Sequence, residues 1–287
     1  MSLQSPDAAT SYATGSSGVL RRLIATQTRL SAWFDGILPA DLARSGSSDF
    51  TSDMIRPYVL PGTTLCDVGG GAQPMFSVEE KTALDLEVIG LDIDQAELDK
   101  APSGAYDRVV CADITRFEPG DIVADLVICR TVLEHVRDNE AAFASLAGIL
   151  KPGGVLLVFV PSKYALFAIA NRVLPERTKQ RLLFSLFPHK ADGHSGFPAF
   201  YDRCTPWQFR RLAASNELET REQRLYYWSS YFTIVFPLHA VMQTLKWALR
   251  PVAPELLAET FGMALQKSAR AQIVAGDGRS SALDRLA

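Results

Sequence analysis

Five short β-rich segments, separated by helical or turn-forming stretches, constrain the fold of this 287-residue chain more than any other feature. They occupy residues 64–68, 87–92, 108–112, 126–129 and 154–160. Strands that alternate with crossover connections build a parallel sheet whose two faces are covered by helices. The pattern therefore predicts an α/β fold with a doubly wound, mostly parallel sheet.

Helices and two further strands are predicted around this series. Near-helical spacing of apolar residues predicts helices over 19–38, 50–59 and 139–150. The run Lys151-Pro152-Gly153-Gly154 is expected to end the third of these and turn into the fifth strand. Thr205 as N-cap and Pro206 at the first position predict a helix over 205–215. Two later segments are predicted to add a sixth and a seventh strand, at 218–226 and 269–275.

These segments suggest a division of the chain into a central core with additions on both sides. The divisions are a disordered lead at 1–17, a helical extension at 18–60, a core at 61–161, a lid insertion at 162–204, a C-terminal part at 205–275 that contains an apolar helical insertion at 228–265, and a tail at 276–287. The first insertion follows the fifth strand, and the second joins a parallel sixth strand to an antiparallel last strand. Both are therefore expected to emerge at the carboxyl end of the parallel strands and to roof a crevice there.

Composition and charge exclude several classes of protein. Apolar residues make up 47% of the chain and charged residues 21%, which supports a packed core and excludes wholesale disorder. Lys and Arg number 29 against 32 Asp and Glu, so the net charge of -3 provides no field that would attract nucleic acid. The four cysteines are isolated, which predicts neither a disulfide framework nor a zinc site.

The sequence also leads us to expect a cytoplasmic protein. The first residues lack a basic segment followed by an apolar one, and no apolar run reaches the roughly 18 residues that a spanning helix needs. Isolated cysteines are typical of a reducing compartment. Peripheral contact with the membrane remains open as an alternative.

The string Leu65-Cys66-Asp67-Val68-Gly69-Gly70-Gly71 places an acid at the end of a buried strand that runs into three glycines. Glycine accepts positive φ and has no Cβ, so a ligand can lie against the backbone in the crevice beyond the strand. A carboxylate beside such a loop opposes a bound anion and favours a cation. The loop is therefore expected to hold a nucleotide-type ligand that carries positive charge.

Two further acids follow neighbouring strands of the predicted sheet. Asp92 ends the second strand, where a carboxylate can accept both ribose hydroxyls of an adenosine. Asp113 follows the third strand at the same edge and is a candidate contact for the adenine. Because parallel strands end at one edge of a sheet, these acids and the glycine loop are expected to line one crevice.

With these motifs in order, the sequence resembles the class I S-adenosylmethionine-dependent methyltransferases with a type 11 methyltransferase domain, over roughly residues 60–161. Asp67-Val68-Gly69-Gly70-Gly71 resembles the first motif, Gly90-Leu91-Asp92 the second and Ala112-Asp113 the third. The stretch from Asp125 to Val136 is similar to the fourth motif. The resemblance implies a Rossmann-like fold with a seven-stranded sheet, and S-adenosylmethionine as the cofactor.

The same resemblance implies a set of cofactor-binding residues. The glycine loop would surround the methionine part, Asp92 the ribose and Asp113 the adenine, while Arg130 would contribute a backbone contact. The full set is Asp67, Gly69, Gly70, Gly71, Asp92, Ile93, Asp113, Ile114 and Arg130. S-adenosylmethionine carries a sulfonium and an ammonium, so an acidic loop suits it better than it suits a pyrophosphate.

Candidate catalytic residues lie in the lid insertion and after the fourth strand. His194, Tyr201 and Asp202 are candidate proton acceptors or substrate anchors, although a lid held by ordinary hydrogen bonds is an equal alternative. His135 is a further candidate for contact with the substrate, or a hydrogen-bonded structural residue beside Glu134. His189 and His194 alone do not make a convincing metal site, so no metal is expected.

The apolar insertion bears on the substrate and on partners. Residues 228–249 carry more apolar surface than a small polar substrate requires. A small-molecule or lipid-linked substrate, a peripheral membrane contact, a homodimer interface and a simply buried helix all remain open. No nucleic-acid partner is expected.

The sequence-based hypothesis is a methyltransferase (EC 2.1.1.-) that acts on a small-molecule, glycan or lipid-type acceptor. Two alternatives remain. A Rossmann-type NAD(P)-dependent oxidoreductase would share the sheet and the ribose acid, but Asp67 discriminates against it because that fingerprint lacks an acid two residues before the first glycine. A relative that binds cofactor without catalysis, or serves as a scaffold, would share every motif.

Overall fold

The computed structural model describes residues 18–173 and 198–269, which form one seven-stranded sheet with helices around it. The strands are β1 (Thr64–Val68), β2 (Glu87–Asp92), β3 (Arg108–Cys111), β4 (Ala124–Arg130), β5 (Leu150–Pro161), β6 (Leu218–Tyr226) and β7 (Thr260–Lys267). Their spatial order is β3-β2-β1-β4-β5-β7-β6. The expected disordered lead, the tail and His194 in the lid insertion lie outside the described residues.

The first five strands are parallel, which confirms the doubly wound fold. β1 pairs with β2 on one side and with β4 on the other, while β3 and β5 extend the sheet outward. The chain therefore moves away from β1 in one direction, then returns to continue on its other side. Such a reversal of strand order opens a crevice at the carboxyl ends of β1 and β4.

Ten α-helical segments are described. They are α1 (Gly18–Asp35), α2 (Ala40–Ala43), α3 (Gly46–Asp49), α4 (Val78–Ala83), α5 (Gln95–Leu98), α6 (Asn139–Ile149), α7 (Leu166–Val173), α8 (Pro206–Ser215), α9 (Phe236–Leu249) and α10 (Pro254–Leu257). α8 begins as predicted, since the Thr205 hydroxyl accepts a hydrogen bond from the Gln208 N–H and Pro206 occupies the first turn.

β7 runs antiparallel to β6, as two backbone hydrogen bonds at opposite ends of the pair show. Glu259 N donates to Tyr226 O at 2.8 Å, and Ser268 N donates to Glu217 O at 3.0 Å. The start of β7 therefore lies beside the end of β6.

The predicted extent of the apolar helical insertion is wrong at its C-terminal end. Residues 260–265 belong to β7, and the strand predicted at 269–275 lies almost entirely outside the described residues. Side chains from Phe261 to Leu265 are buried on both faces of the sheet. A strand covered on both faces shows no alternation of polar and apolar residues, so its sequence resembles that of a buried helix.

Two boundary predictions are also corrected. The expected helix over 50–59 is a π-helical turn, Phe50–Met54, followed by a 3-10 turn, Arg56–Tyr58. Ile55 N donates to Phe50 O, and Pro57, which has no N–H, prevents a regular α-helix from continuing. The glycines of the Lys151–Gly154 run lie inside β5, where the register against β4 shifts, and not in a turn before that strand.

The chain divides into two compact units. Within the described residues, the sheet unit contains Ser47–Pro161, Tyr201–Arg224 and 261–269, and the helical unit contains 18–46, 162–173, 198–200 and Leu225–Thr260. The glycine loop and the acids at the strand ends belong to the sheet unit. α1 and α9 belong to the helical unit, where they pack through an edge-on contact of Phe34 with Phe236 at 6.1 Å.

Three fully buried aromatic rings join α6, α8 and β7 in the sheet unit. Phe209 packs edge-on against Phe143, at 5.0 Å between centroids, and against Phe261, at 5.2 Å. Edge-to-face contacts of this kind add to the stabilisation from apolar burial. Phe209 is thus the central residue of this cluster.

We expect Phe209→Ala to lower the free energy of unfolding by about 3–5 kcal/mol, because it leaves a cavity between two rings. Phe209→Leu, which keeps most of the volume, should lose less than half as much. Chemical denaturation monitored by circular dichroism measures both. Equal losses for the two variants would contradict a packing role for the ring.

Candidate functional site

The glycine loop after β1, Gly69–Gly71, lies between Val132 and Asp92, which leave no room for side chains on the loop. Gly69 and Gly71 have positive φ, +75° and +46°, and Gly69 N donates to Leu91 O at 2.7 Å, which ties the loop to β2. A Cβ on Gly69 would collide with Val132, and one on Gly71 would lie 3.1 Å from Asp92 Oδ2. The three glycines therefore let the backbone pass between the ends of β2 and β4, where side chains would not fit.

Asp67 lies buried beneath this loop. Its Oδ2 accepts a hydrogen bond from Met75 N at 2.8 Å, which closes the loop into a ring, and it also bonds the Tyr106 hydroxyl. Burial raises the pKa of Asp67 to about 6, against the opposing effects of the Met75 N–H, Arg130 and Tyr106. A Cβ on Gly70 would overlap this carboxylate. Asp67 thus both shapes the loop and supplies negative charge from below.

Tyr106 is a site residue that the sequence reasoning missed. Its ring covers Gly90 of β2, where a Cβ would lie only 2.8 Å from the ring carbons. Its hydroxyl lies 3.2 Å from Gly71 O, so the side chain supports the glycine loop. A glycine inside a strand often marks close approach by another group, and Gly90 was therefore an available signal.

Asp92 stands beside the loop at the end of β2. Its Oδ1 accepts the Asp94 N–H at 3.0 Å, and its other oxygen faces Gly71. Partial burial raises its pKa, opposed by the Asp94 and Ile93 N–H groups and assisted by the charges of Asp94 and Glu97. Ile93 is 57% exposed next to it. The end of β2 therefore offers a carboxylate and an apolar side chain on the open side.

The structure places Asp113 and Ile114 in the turn after β3. Asp113 Oδ1 accepts hydrogen bonds from Thr115 N at 2.9 Å and Thr115 Oγ1 at 2.8 Å, so this carboxylate shapes the turn. The Ile114 side chain is buried. Asp113 thus reaches the expected edge of the sheet, whereas Ile114 packs inward.

The end of β4 supplies the other wall of the crevice. Arg130 is half-buried there, close enough for its charge to lower the pKa of Asp67. Thr131 follows with φ of +55°, held by a hydrogen bond from its N–H to Phe159 O at 2.8 Å. A threonine rarely adopts this conformation, which turns the chain sharply at the crevice. No feature of the sequence signalled it.

Two candidate catalytic segments meet after β4. Tyr201 N donates to the backbone oxygen of Glu134 at 3.0 Å, which brings Tyr201 next to the 3-10 turn Leu133–His135. Tyr201 itself is buried, whereas the His135 side chain is one-third exposed. Of these two candidates, His135 is therefore the one open to a substrate.

Glu134 lies next to His135 in this turn, and its carboxyl group is buried. Burial raises its pKa to about 8, so it holds a proton at neutral pH. Its Oε1 lies 3.9 Å from His135 Nε2, and Oε2 has no hydrogen-bond partner within the described residues. The pair combines a buried neutral carboxyl group with a partly exposed imidazole in the 3-10 turn after β4.

Asp202 has a structural role in this arrangement. Its Oδ2 accepts a hydrogen bond from Asn139 N at 3.0 Å, and its backbone oxygen accepts one from Asn139 Nδ2 at 2.5 Å. These bonds fasten residues 201–204 to the start of α6. Across residues 18–173 and 198–269, no three His, Cys, Asp or Glu side chains converge closely enough to hold a metal ion.

We expect Asp67→Asn to stabilise the ligand-free protein at pH 7.5 by about 1–3 kcal/mol. The folded pKa of about 6 lies above the ordinary value of 3.8, so the folded state holds a proton that the unfolded chain has lost. Stability therefore falls as pH rises from about 4 to 6, and stays lower above that range. The neutral amide removes this cost.

Thermal unfolding of both proteins from pH 4 to pH 8 measures the effect. The difference between them should vanish near pH 4. Asp99→Asn, which removes the same charge from an exposed position, serves as the control and should show no such trend. A difference for Asp67→Asn that does not change with pH would contradict the burial argument.

Comparison with known proteins agrees with this geometry. Residues 66–158 match the model of the methyltransferase domain family. The chain is 32% identical over 134 residues to a ubiquinone biosynthesis O-methyltransferase of Rhodopseudomonas palustris, which covers 42% of this chain and 52% of that protein. It is 26% identical over 175 residues to the protein of the same name from Thiobacillus denitrificans, covering 57% and 67%. The chain thus spans about half the length of the first relative.

A solved structure shows the same fold. The S-adenosylmethionine-dependent methyltransferase from Mesorhizobium loti aligns with a TM-score of 0.52 at 14% identity, over 78% of this chain and 98% of that one. This likeness confirms the Rossmann-like fold, while the match over residues 66–158 supports the resemblance drawn from the motifs.

Proposed function

We propose that this chain, whose residues 66–158 form a methyltransferase domain, is an S-adenosylmethionine-dependent methyltransferase that methylates an oxygen of a small-molecule or lipid-type acceptor. One observation carries the proposal furthest. The side-chain-free loop Gly69–Gly71 lies over the buried carboxylate of Asp67 and beside that of Asp92. Both curated relatives described above are named as O-methyltransferases, which supports oxygen as the acceptor atom.

The residues around the loop fit this cofactor. An added Cβ on Gly69 or Gly70 would clash with Val132 or Asp67, and one on Gly71 would crowd Asp92, so only glycines let this backbone lie so close to the two carboxylates. Asp67 and Asp92 would provide negative charge for a ligand with a sulfonium and an ammonium, and Asp92 is the proposed acceptor for the ribose hydroxyls. When bound, S-adenosylmethionine supplies an already activated methyl group.

The negative charge of Asp67 favours this function over that of a nicotinamide oxidoreductase. A pyrophosphate on the glycine loop would lie over Asp67, whose ionisation opposes an anion above pH 6. The proposal therefore expects binding of S-adenosylmethionine and no binding of NADH in equilibrium dialysis at pH 7.5.

The protein's own part in the reaction is alignment, exclusion of water and removal of a proton from the acceptor. His135 is the proposed proton acceptor, because an imidazole nitrogen can take a proton from an acceptor hydroxyl and this side chain is one-third exposed in the turn after β4. Tyr201 holds that turn through its backbone bond to Glu134, and is proposed as a positioning residue.

We expect Asp92→Ala to weaken binding of S-adenosylmethionine about 10- to 100-fold, because a charge-assisted hydrogen bond to the ribose is lost. Isothermal titration calorimetry measures the affinity. Asp94→Ala is the matched control. It removes a carboxylate two residues away that caps α5 by accepting the Ala96 N–H, and that is not proposed to contact the ligand. Unchanged affinity in Asp92→Ala would remove this residue from the site.

We expect His135→Gln to lower the single-turnover rate about 10²- to 10⁴-fold while cofactor affinity stays within twofold, because only proton transfer is lost. Transfer of a labelled methyl group to a panel of phenolic, glycan and lipid-linked hydroxyl compounds provides the assay. Tyr201→Phe, which keeps the backbone bond, should retain most of the rate. Cofactor binding by the wild-type protein without turnover on any acceptor would instead support the non-catalytic alternative.

A further inference from the structure

The longest helix of the C-terminal part, α9, has its polar face inside the helical unit. His239 Nε2 contacts Asp35 Oδ1 at 2.6 Å, and Gln243 Nε2 donates to Leu42 O at 3.0 Å. Lys246 Nζ donates to Glu259 Oε1 at 2.7 Å and to Tyr227 O at 2.6 Å. Residues 239, 243 and 246 follow helical spacing, so they form one continuous polar stripe that is almost completely buried.

The opposite face of α9 presents apolar side chains to solvent. Leu238, Val241, Leu245 and Leu249 are separated by three or four residues and are between 41% and 58% exposed. We call these four residues the α9 stripe. A surface helix of a globular protein normally buries such residues and exposes its polar ones. The orientation of α9 therefore leaves an apolar ridge that residues 18–173 and 198–269 do not bury.

α1 repeats this arrangement in the same unit. Its inward face bonds the segment before α9, since Ser31 Oγ donates to Thr233 O at 2.8 Å and Gln27 Oε1 accepts the Phe236 N–H at 2.9 Å. Its outward side, continued just past the helix, exposes Leu23, Leu30, Trp33 and Ile37, with Trp33 at 63% and Ile37 at 62%. We call these four residues the α1 stripe.

The exposed charged side chains described on α1 are positive, whereas Lys246 of α9 is buried. Asp35 is the one acid within α1 and α9, and it is held by His239 and by Trp228 Nε1, which donates to Asp35 Oδ2 at 3.0 Å. Arg22 and Arg29 are exposed on α1 and lie next to the α1 stripe in helical projection. The outer side of the pair thus combines apolar ridges, an exposed tryptophan and arginines.

We propose that the α1 and α9 stripes dock the protein on an anionic lipid surface. Leucine and tryptophan side chains enter the boundary between headgroups and acyl chains, while arginines attract lipid phosphates, as in helices that lie in a membrane interface. A two-fold related copy docked on α1 would instead bring Arg22 and Arg29 of both copies together with no acid from either helix, so the charges favour lipid over self-association. Within the described residues, no helix is long and apolar enough to cross a bilayer.

Co-sedimentation of the full chain with vesicles tests the proposal. The probes are vesicles of phosphatidylcholine alone and vesicles of equal parts phosphatidylglycerol and phosphatidylcholine. We expect binding to the mixed vesicles that weakens at high salt, and at least tenfold weaker binding to vesicles of phosphatidylcholine alone.

Val241→Ser with Leu245→Ser should lower binding to the mixed vesicles at least tenfold, because the α9 stripe loses its two most exposed members. Arg22→Gln with Arg29→Gln should lower it about fivefold or more for each charge removed.

Matched controls separate this effect from misfolding and from the proposed catalysis. Leu60→Ser with Val123→Ser removes equally exposed apolar side chains from the sheet unit and should leave vesicle binding unchanged. Melting temperatures and cofactor affinity of the stripe variants should match the wild type, because neither stripe contributes to the crevice residues described above. Absence of vesicle binding, or equal binding of the Val241→Ser and Leu245→Ser variant, overturns the proposal. A dimer in sedimentation velocity that this variant abolishes, without vesicle binding, would assign the surface to a second copy instead.

Discussion

The burial of Asp67 beneath the glycine loop is the interaction on which the rest of the site depends. The carboxylate bonds Met75 N and the Tyr106 hydroxyl, so it closes the loop and joins it to the side chain that covers Gly90. Burying a charge is unfavourable, as the raised pKa records. The ligand-free protein is therefore destabilised by a buried charge that a bound cation would stabilise. This relation between a costly buried charge and ligand affinity is common at functional sites.

The crevice follows from that loop through strand order. Because β1 lies between β2 and β4, the end of β2 brings Asp92 to one side of the glycines and the turn after β4 brings Val132 and Arg130 to the other. The left-handed Thr131 then redirects the chain into the 3-10 turn that contains Glu134 and His135.

The helical unit buries polar and charged side chains in pairs, whereas its apolar stripes face solvent. Its interior holds the Lys246–Glu259 ion pair and the His239–Asp35 contact, and burial lowers the pKa of Lys246 and raises that of Glu259, each opposed by its partner. A polar interior of this kind specifies how α9 is rotated, because any other rotation would leave these groups unpaired. That rotation is what turns the apolar stripes outward, and it links the internal hydrogen bonds to the surface proposed for lipid.

The sequence alone determined the sheet, the glycine loop and the acids at the strand ends, because alternating strands, glycines without Cβ atoms and the common carboxyl edge of parallel strands are local patterns with one dominant outcome. It failed where burial hides the pattern, as in β7, and where an interaction joins distant residues. Only the tertiary structure decided that Tyr106 supports the loop, that Asp202 fastens Asn139, that Ile114 points inward and that α9 buries its polar side. Each of these features depends on contacts between side chains that are distant in the sequence. The spacing of residues within one segment does not indicate which distant residue it will contact.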